Sequence, residues 1–530
     1  MEPRHAIQQE FARRLLLGEL IARNARKFPD KEAVIFGETR LTYGEFNGRI
    51  NRLAHAFQDM GVGKDDKVAL LMPNCNQYLE CYFALGKIGG VAVPLNFRLQ
   101  TDEIVYIVNN ADVVAYVVGE QFIDTVRSIQ KDLPLVKQYI SVTAGPVEGM
   151  FHYETLIRKY PNEEPLVLVG EDDPVFIMYT AGTTGRPKGA VITHKSQVMM
   201  WLLAFVQLLS EPGVGNLWDF RVCSPPPLFH LASFGYCEAH LLLGATLVLP
   251  TQVFNPVEIM EIIEREKVDS IMLIPAMANF LLQLPGLDKY DASSLKIWAS
   301  GAAVLPTQTR KAMIERFPGL MVYDCFGQTE TGALVSILRP SEGERKVASV
   351  GRPLPFIQVR VVDYEDCDVP IGEVGEAVYQ GPNIMKEYYK NPEGTAQAMR
   401  NGWFHSGDMV RQDEEGYIYV VDRKTDMIIS GGENIYPAEV EEVLYRHPKI
   451  LEAAVIGVHD EQWGEAVKAV VVPKAGETLT EEEVIDFCKQ HLASYKKPKS
   501  VDFTDALPRN PAMKVLKRVL RERYGKAVKY

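Results

Sequence analysis

The chain has 530 residues, 47% of them hydrophobic and 24% charged, so it is too long for one ordinary core and implies roughly two to four structural units. That composition is globular and excludes disordered, fibrous and low-complexity classes. The net charge of −12 argues against general nucleic-acid binding, and seven cysteines without a CxxC pair suggest neither zinc nor disulfides, which points to a cytoplasmic setting.

Met1 to Arg14 mix charges of both signs and lack the apolar core of a signal peptide. Beyond them, strand-like apolar runs alternate with helical patterns for about four hundred residues. The runs 67–72, 175–179, 190–192, 246–249 and 270–274 predict strands, and 43–60, 195–209, 256–267 and 276–284 predict helices. The most apolar stretch, Leu228 to Pro250, contains His230, Glu238 and His240, so it reads as buried strand and helix, and no transmembrane segment is expected.

After about Asp426 the texture changes. Two strands are predicted at 453–458 and 466–472. A capping box at Thr480 and Glu483 predicts a helix running to Leu492, followed by a strand over 499–504 and a last helix over 515–524. The expected fold is a large N-terminal α/β domain, residues 1–424, with several sheets covered by helices. A small α+β domain, residues 425–530, is joined to it by a hinge. From Tyr495 to the end, eleven Lys/Arg face three Asp/Glu; that is either a solvated basic face or a surface for a polyphosphate ligand.

The most informative segment is Thr180-Ala181-Gly182-Thr183-Thr184-Gly185-Arg186-Pro187-Lys188-Gly189. Glycines let backbone N–H groups approach phosphate oxygens, hydroxyls add donors, and Lys188 supplies a cation. It is not a Walker A loop, because Pro187 precedes the lysine and no Ser/Thr follows it. The segment resembles the phosphate loop of the adenylate-forming superfamily, which includes acyl-CoA synthetases, peptide-synthetase adenylation domains and luciferases. It departs once, with Ala181 where a serine is common.

The resemblance extends over essentially the whole chain, from Leu41-Thr42-Tyr43 to the last helix, with the motifs in order. Asp324-Cys325-Phe326-Gly327-Gln328-Thr329-Glu330 is similar to the Tyr-Gly-x-Thr-Glu motif, with Phe326 replacing the tyrosine. The resemblance implies that Thr329 bonds the α-phosphate, that Glu330 holds Mg²⁺, and that the flat ring of Phe326 lies beside adenine. Gly301-Ala302-Ala303 resembles the loop along the adenine. Asp408 and Arg423 match the residues that meet the ribose, although alone an aspartate after glycine reads as a turn residue. Pro227-Leu228-Phe229-His230 resembles the acyl-CoA synthetase form of the pocket motif, with His230 at the mouth where carboxylate, adenylate and thiol meet.

Thr425 stands at the family's hinge position, where Asp or Lys is usual. Gly431, Gly432 and Glu433 fall in the segment that lines the pantetheine tunnel. Lys514 matches the lysine that bridges the carboxylate and α-phosphate, with Met513 where glycine commonly precedes it. The implied activity is an AMP-forming carboxylate–CoA ligase using ATP, Mg²⁺ and coenzyme A. Trp201 to Tyr236, with Trp298, Ala299, Ser300 and Cys325, are expected to line an apolar pocket for a fatty, alicyclic or aromatic acid. A stand-alone adenylation enzyme that passes the acyl group to another acceptor, such as a carrier protein, is the alternative, and a homodimer is left open.

Overall fold

The computed structural model describes residues 13–180, 186–424, 426–431, 433–509 and 515–525. Several residues singled out above lie outside them: Ala181, Gly182, Thr183, Thr184 and Gly185 of the loop, Thr425, Gly432, Met513 and Lys514.

Two mostly parallel sheets with helices on their faces make the body of the molecule. The nine-stranded sheet runs, from one edge, Arg352–Pro353, Ser336–Leu338, Met321–Phe326, Ile297–Ser300, Ser270–Met272, Arg221–Cys223, Thr246–Leu249, Glu32–Phe36 and Thr39–Thr42. The eight-stranded sheet runs Glu387–Tyr388, Lys188–Thr193, Pro174–Thr180, Val91–Pro94, Lys67–Leu71, Val113–Gly119, Gln138–Val142 and Phe151–His152. Strands such as Lys67–Leu71, Val91–Pro94, Val113–Gly119 and Thr246–Leu249 are dominated by Val, Leu and Ala, as parallel strands buried on both faces require. One hydrophobic core joins the two sheets, and separate clusters fill the far side of each.

A third, antiparallel sheet pairs Gln358–Val362, Val374–Gln380, Trp403–Gln412 and Met399–Arg400, with Ile418–Arg423 also on Trp403–Gln412. The chain then enters a small α+β domain. Its sheet holds Ile428–Ser430, Glu433–Ile435, the long hairpin Ile450–Asp460 and Gly464–Pro473, and Ser500–Phe503 in parallel on the last of these. It has its own apolar core around Val455, Val467, Val471 and Leu444. The architecture is therefore a large N-terminal α/β domain followed by a small C-terminal one.

The predicted elements are present with ends shifted by one to three residues, as at Ser270–Met272 and Ile450–Asp460. One cap differs. Thr480 Oγ1 accepts from Glu483 N–H at 3.2 Å, but the reciprocal half of the box is missing. Glu483 Oε1 instead accepts from Lys449 Nζ at 2.8 Å, since a charged donor outcompetes a neutral amide. By contrast the helix Tyr43–Asp59 opens on a complete capping box between Thr42 and Glu45.

Buried polar groups tie the helices together. Glu80, fully buried, accepts from Arg49 Nε at 2.8 Å, Asn76 Nδ2 at 2.7 Å and Tyr153 OH at 2.6 Å. His194, also fully buried, begins the helix His194–Leu209, and its Nδ1 accepts from Leu17 N–H at 3.1 Å. Burial lowers its pKa from 6.5 to about 4, and an acceptor Nδ1 must be unprotonated. The unfolded chain binds this proton near pH 6.5 and the folded protein only near 4, so the stability His194 contributes is full above about 6.5 and falls as pH drops towards 4. The thermal midpoint is expected to fall across that window. His194→Gln, whose amide oxygen can accept the same bond, is expected to show a shallower acid slope; an equal slope would contradict the assignment.

Candidate active site

The site forms where the edges of the two large sheets meet. Strand Met321–Phe326 leads into a turn at Gly327 and the short helical turn Thr329–Thr331. A Cβ at Gly327 would stand 2.5 Å from Ala333 O and 2.6 Å from Leu334 Cα, so glycine is demanded by close backbone approach. Glu330, mostly buried, faces the other sheet. Its Oε1 accepts from Thr180 Oγ1 at 3.1 Å and from Tyr388 OH at 2.9 Å. Lys188, opposite Thr180 in the antiparallel ladder, holds its ammonium 5.2 Å from the centre of the Tyr388 ring. Burial, with Glu330's negative charge added, pushes the Tyr388 hydroxyl far above its ordinary range, so it stays a donor. Thr180, Lys188 and Glu330 are thus brought together, and Thr329 lies beside them, half-buried in the turn.

A second constellation comes from the third sheet. Asp408 and Arg423 are register partners on adjacent strands, and Arg423 Nε donates to Asp408 Oδ1 at 2.7 Å. Arg423 Nη1 also donates to Ser406 O at 3.3 Å. With its amide oriented by its neighbours, Gln328 donates to Asp408 Oδ2 and to Ser406 O, both at 3.2 Å. The Gln328 segment therefore carries both constellations, one on each side.

Small side chains follow the neighbouring strand Ile297–Ser300. Gly301 packs against the Cys325 carbonyl, while Ala302 and Ala303 are exposed. Ala302 holds φ at +66°, a left-handed conformation that costs a non-glycine residue about 1 kcal/mol or more. Below it Asp324 is buried and its pKa is raised by burial to about 7, although Arg310 opposes this. Phe326 is half-buried at the end of its strand.

His230 is the N-cap residue of the helix Leu231–Leu243, but its side chain makes no capping bond. Its ring packs on Phe229 at 4.4 Å, and its buried Nε2 has no hydrogen-bond partner. Burial lowers its pKa to about 4, so the imidazole is neutral at physiological pH. The helix carries Gly235, where a Cβ would lie 2.0 Å from the Trp201 indole. It also carries Tyr236, whose hydroxyl meets Ser270 Oγ at 2.6 Å.

Strand alternation divides the expected pocket residues. Ala299 and Cys325 face the same core as Trp201 and Tyr236. Trp298 does not: it is fully buried in the opposite core and donates to Leu273 O at 2.9 Å. Ser300, two residues on, shares that far face.

Gly431 and Glu433 sit on the first hairpin of the small domain. Gly431 has φ +61°, donates to Trp463 O at 2.8 Å, and a Cβ there would stand 2.5 Å from the Trp463 ring. Its glycine is therefore needed by a left-handed turn against Trp463. Tyr388 was not anticipated from the sequence. Its only signal is a tyrosine in the two-residue strand Glu387–Tyr388, too short to stand out.

A buried carboxylate with hydroxyl donors from the neighbouring sheet and an Asp–Arg pair from the third sheet thus meet around the segment that carries Gln328 and Glu330. The chain belongs to the AMP-binding enzyme family: that family matches residues 21–389, and the AMP-binding enzyme C-terminal domain matches 439–514. It is 39% identical to a feruloyl-CoA synthase from Amycolatopsis sp, over 96% of this chain and 99% of that one. It is 35% identical to a long-chain-fatty-acid–CoA ligase from Mycobacterium tuberculosis, over 97% and 99%. Among solved structures, the anthranilate CoA ligase AuaEII in complex with anthranoyl-AMP superposes with a TM-score of 0.88 at 25% identity, covering 96% of this chain and 97% of that one.

Gly327→Ala is expected to displace the turn that carries Glu330, because both obstructing atoms are backbone. Overpacking of this kind costs about 1–3 kcal/mol; a thermal midpoint equal to the parent's would show that the turn yields freely.

Proposed function

We propose that this AMP-forming carboxylate–CoA ligase acts on an apolar acid, whether fatty, alicyclic or aromatic, in two half-reactions. The observation that supports the nucleotide half is the Glu330 carboxylate tied to Thr180 near Lys188, with the Asp408–Arg423 pair joined to the same segment through Gln328. Phosphates fit the first group, where a cation and hydroxyls are available. A ribose fits the second, where Asp408 offers acceptor oxygens. The apolar character of the acid is supported by the buried face of Trp201, Tyr236, Ala299 and Cys325, and by relatives named for feruloyl, long-chain fatty and indoleacetic acids.

The donor set also fits Mg²⁺. Both hydrogen bonds to Glu330 reach Oε1, so Oε2 has no protein donor among the described residues, and a hard cation takes carboxylate oxygen. Bound there, Mg²⁺ would neutralise charge on the phosphates during adenylation.

A free carboxylate is a poor acyl donor, and adenylation supplies a phosphate-ester leaving group. In the first half-reaction the acid's oxygen attacks the α-phosphorus in line and pyrophosphate leaves. Thr329, Lys188 and Lys514 stabilise the added negative charge, the kind of preorganised stabilisation that commonly gives the largest share of catalysis. In the second, the CoA thiol attacks the acyl carbonyl, a new C–S bond forms and AMP departs. His230 is assigned to meet the reacting groups, a role its neutral ring and unpaired Nε2 support. The hinge falls at the 424/425 boundary, and the small domain presents Lys514 in one orientation and Gly431, Gly432 and Glu433 in the other. The setting is cytoplasmic; among the described residues no helix is long and apolar enough to cross a membrane.

Nucleotide release from ATP, measured across acetate, medium and long fatty acids, benzoate, hydroxycinnamates, cyclohexane carboxylates and amino acids, tests the reading. AMP formation that requires both an apolar acid and CoA is expected. AMP formation indifferent to CoA would favour transfer to another acceptor, and ADP formation would contradict both. In single-turnover assays Lys514→Ala is expected to lose adenylate formation by about 100-fold or more while sparing thioester formation from supplied adenylate. Gly432→Leu is expected to do the reverse, and equal loss of both steps in both variants would contradict the two-orientation scheme.

A further inference from the structure

A short stretch of helix separates the histidine assigned to the reacting groups from a large aromatic ring. His230 is the N-cap of Leu231–Leu243, and Gly235 follows it by five residues, roughly 7–8 Å at the rise of an α-helix. Trp201, on the neighbouring helix His194–Leu209, lays its indole over that glycine. A Cβ at Gly235 would stand 2.0 Å from Trp201 Cζ2, 2.3 Å from Cε2 and 2.4 Å from Nε1. A glycine inside a helix weakens it, so its place here is explained by the ring that it admits.

Farther along both helices the seam is filled. Phe205, one turn past Trp201, stands edge-on to His240 with ring centres 6.0 Å apart, and His240 packs on Tyr236 at 4.4 Å. His240 Nδ1 donates to Tyr236 O at 2.8 Å, and the Tyr236 hydroxyl meets Ser270 Oγ at 2.6 Å. Trp201, Phe205, Tyr236 and His240 are all buried. On strands Ile297–Ser300 and Met321–Phe326, by contrast, the small residues Ala299 and Cys325 pack on the same core but are only partly covered. One turn before Trp201, Gln197 Nε2 donates to Glu238 Oε2 at 2.6 Å. That bond braces the two helices that hold the indole on its glycine.

We infer that Trp201, seated on Gly235, is a plug that ends the acid's pocket a short way past His230 and so determines specificity. The substrate class is then a compact acid, whose apolar part is no longer than a single ring on a short tether. Long-chain fatty acids are excluded. The inference rests on the function proposed above, which lays the acid between His230 and the face of Trp201 and Tyr236. A close-packed interior does not admit extra methylenes without strain, and an extended long chain runs far past Gly235. Trp201 acts on the tail of the acid and not on its reacting atoms.

The experiment measures kcat/KM for AMP formation in the full-length protein, with ATP and CoA saturating and benzoate, phenylacetate, hexanoate, laurate or palmitate as the acid. The parent is expected to use the first three and to discriminate against laurate and palmitate by about 100-fold or more. Trp201→Leu is expected to raise the laurate-to-benzoate ratio by about tenfold, and Trp201→Ala by more. A ratio taken within one variant does not depend on how much of that variant folds. Gly235→Ala drives a methyl into the indole and displaces it towards Ala299 and Cys325, so benzoate activity is expected to fall by about tenfold. Adding Trp201→Ala to Gly235→Ala is expected to bring it back to the level of Trp201→Ala alone, since the methyl then meets no ring.

A parent that prefers palmitate to benzoate, or a laurate-to-benzoate ratio unchanged in both Trp201 variants, would overturn the plug and leave the ligase reading standing. A double variant that stays at the level of Gly235→Ala would overturn it as well, because the glycine would then serve something other than the indole. Where the parent forms AMP with none of these acids, the plug and the ligase reading fall together.

Discussion

The structure around the site depends on one buried carboxylate. Glu330 follows strand Met321–Phe326 of the nine-stranded sheet and takes its hydroxyl donors from the eight-stranded one, through Thr180 and Tyr388. A mostly buried carboxylate without partners would be costly, and a donor removed from it would leave an unmet acceptor. The two sheets are therefore held in one relative position at the point where strand Pro174–Thr180 ends. The backbone repeats the tie: Met385 N–H donates to Glu330 O at 2.8 Å, and Asn383 Nδ2 donates to Thr331 O at 2.8 Å and Leu334 O at 3.1 Å. A site that must place donors against a phosphate gains from being set on strand ends locked in this way.

The third sheet is attached to the same turn from its other side. Gln328, two residues before Glu330, meets Asp408 and Ser406, so the segment 327–331 is shared by three sheets. Asp408 is in turn held by Arg423, the last residue of its strand. A continuous set of contacts thus runs from Glu330 through Gln328 and the Asp–Arg pair to the end of strand Ile418–Arg423. Beyond it the small domain has its own sheet and core, and helix Pro437–Leu444 touches strand Ile418–Arg423 chiefly through Asp422. A small domain with its own sheet and core beside a cross-braced large one suits the alternating steps proposed above.

Most of the elements were legible in the sequence because parallel strands buried on both faces write themselves as unbroken apolar runs, and helices between them show a 3.6-residue period. The motif residues were legible because glycine, threonine and acidic types cluster where backbone must approach closely. Contacts that depend on tertiary partners were not. The pairing of Glu483 with Lys449 rather than with its own helix start needs a residue thirty-four positions away. Which face Trp298 takes follows from the register of a parallel sheet, and parity cannot be read when both faces are apolar. Gly431 looks like a glycine for a narrow ligand until Trp463 is seen against it, and Tyr388 is visible only once Glu330 is placed.

The charge distribution divides the site in a way that bears on its two substrates. On the nucleotide side, groups are paired and polar: Lys188 over Tyr388, Arg423 on Asp408, Glu330 on two hydroxyls. On the other side, titratable groups are kept uncharged by burial. His230 and His240 are both lowered to about 4, and Glu238, which accepts from Gln197, is raised to about 8. At neutral pH both imidazoles are neutral and burial favours the protonated form of Glu238. A triphosphate could not be desolvated among neutral apolar groups without a large penalty, and a hydrocarbon gains nothing beside ion pairs. Under the function proposed above, this contrast would sort the two ligands by solvation before any specific contact is made, with the neutral imidazole of His230 offered to the acid's carboxylate.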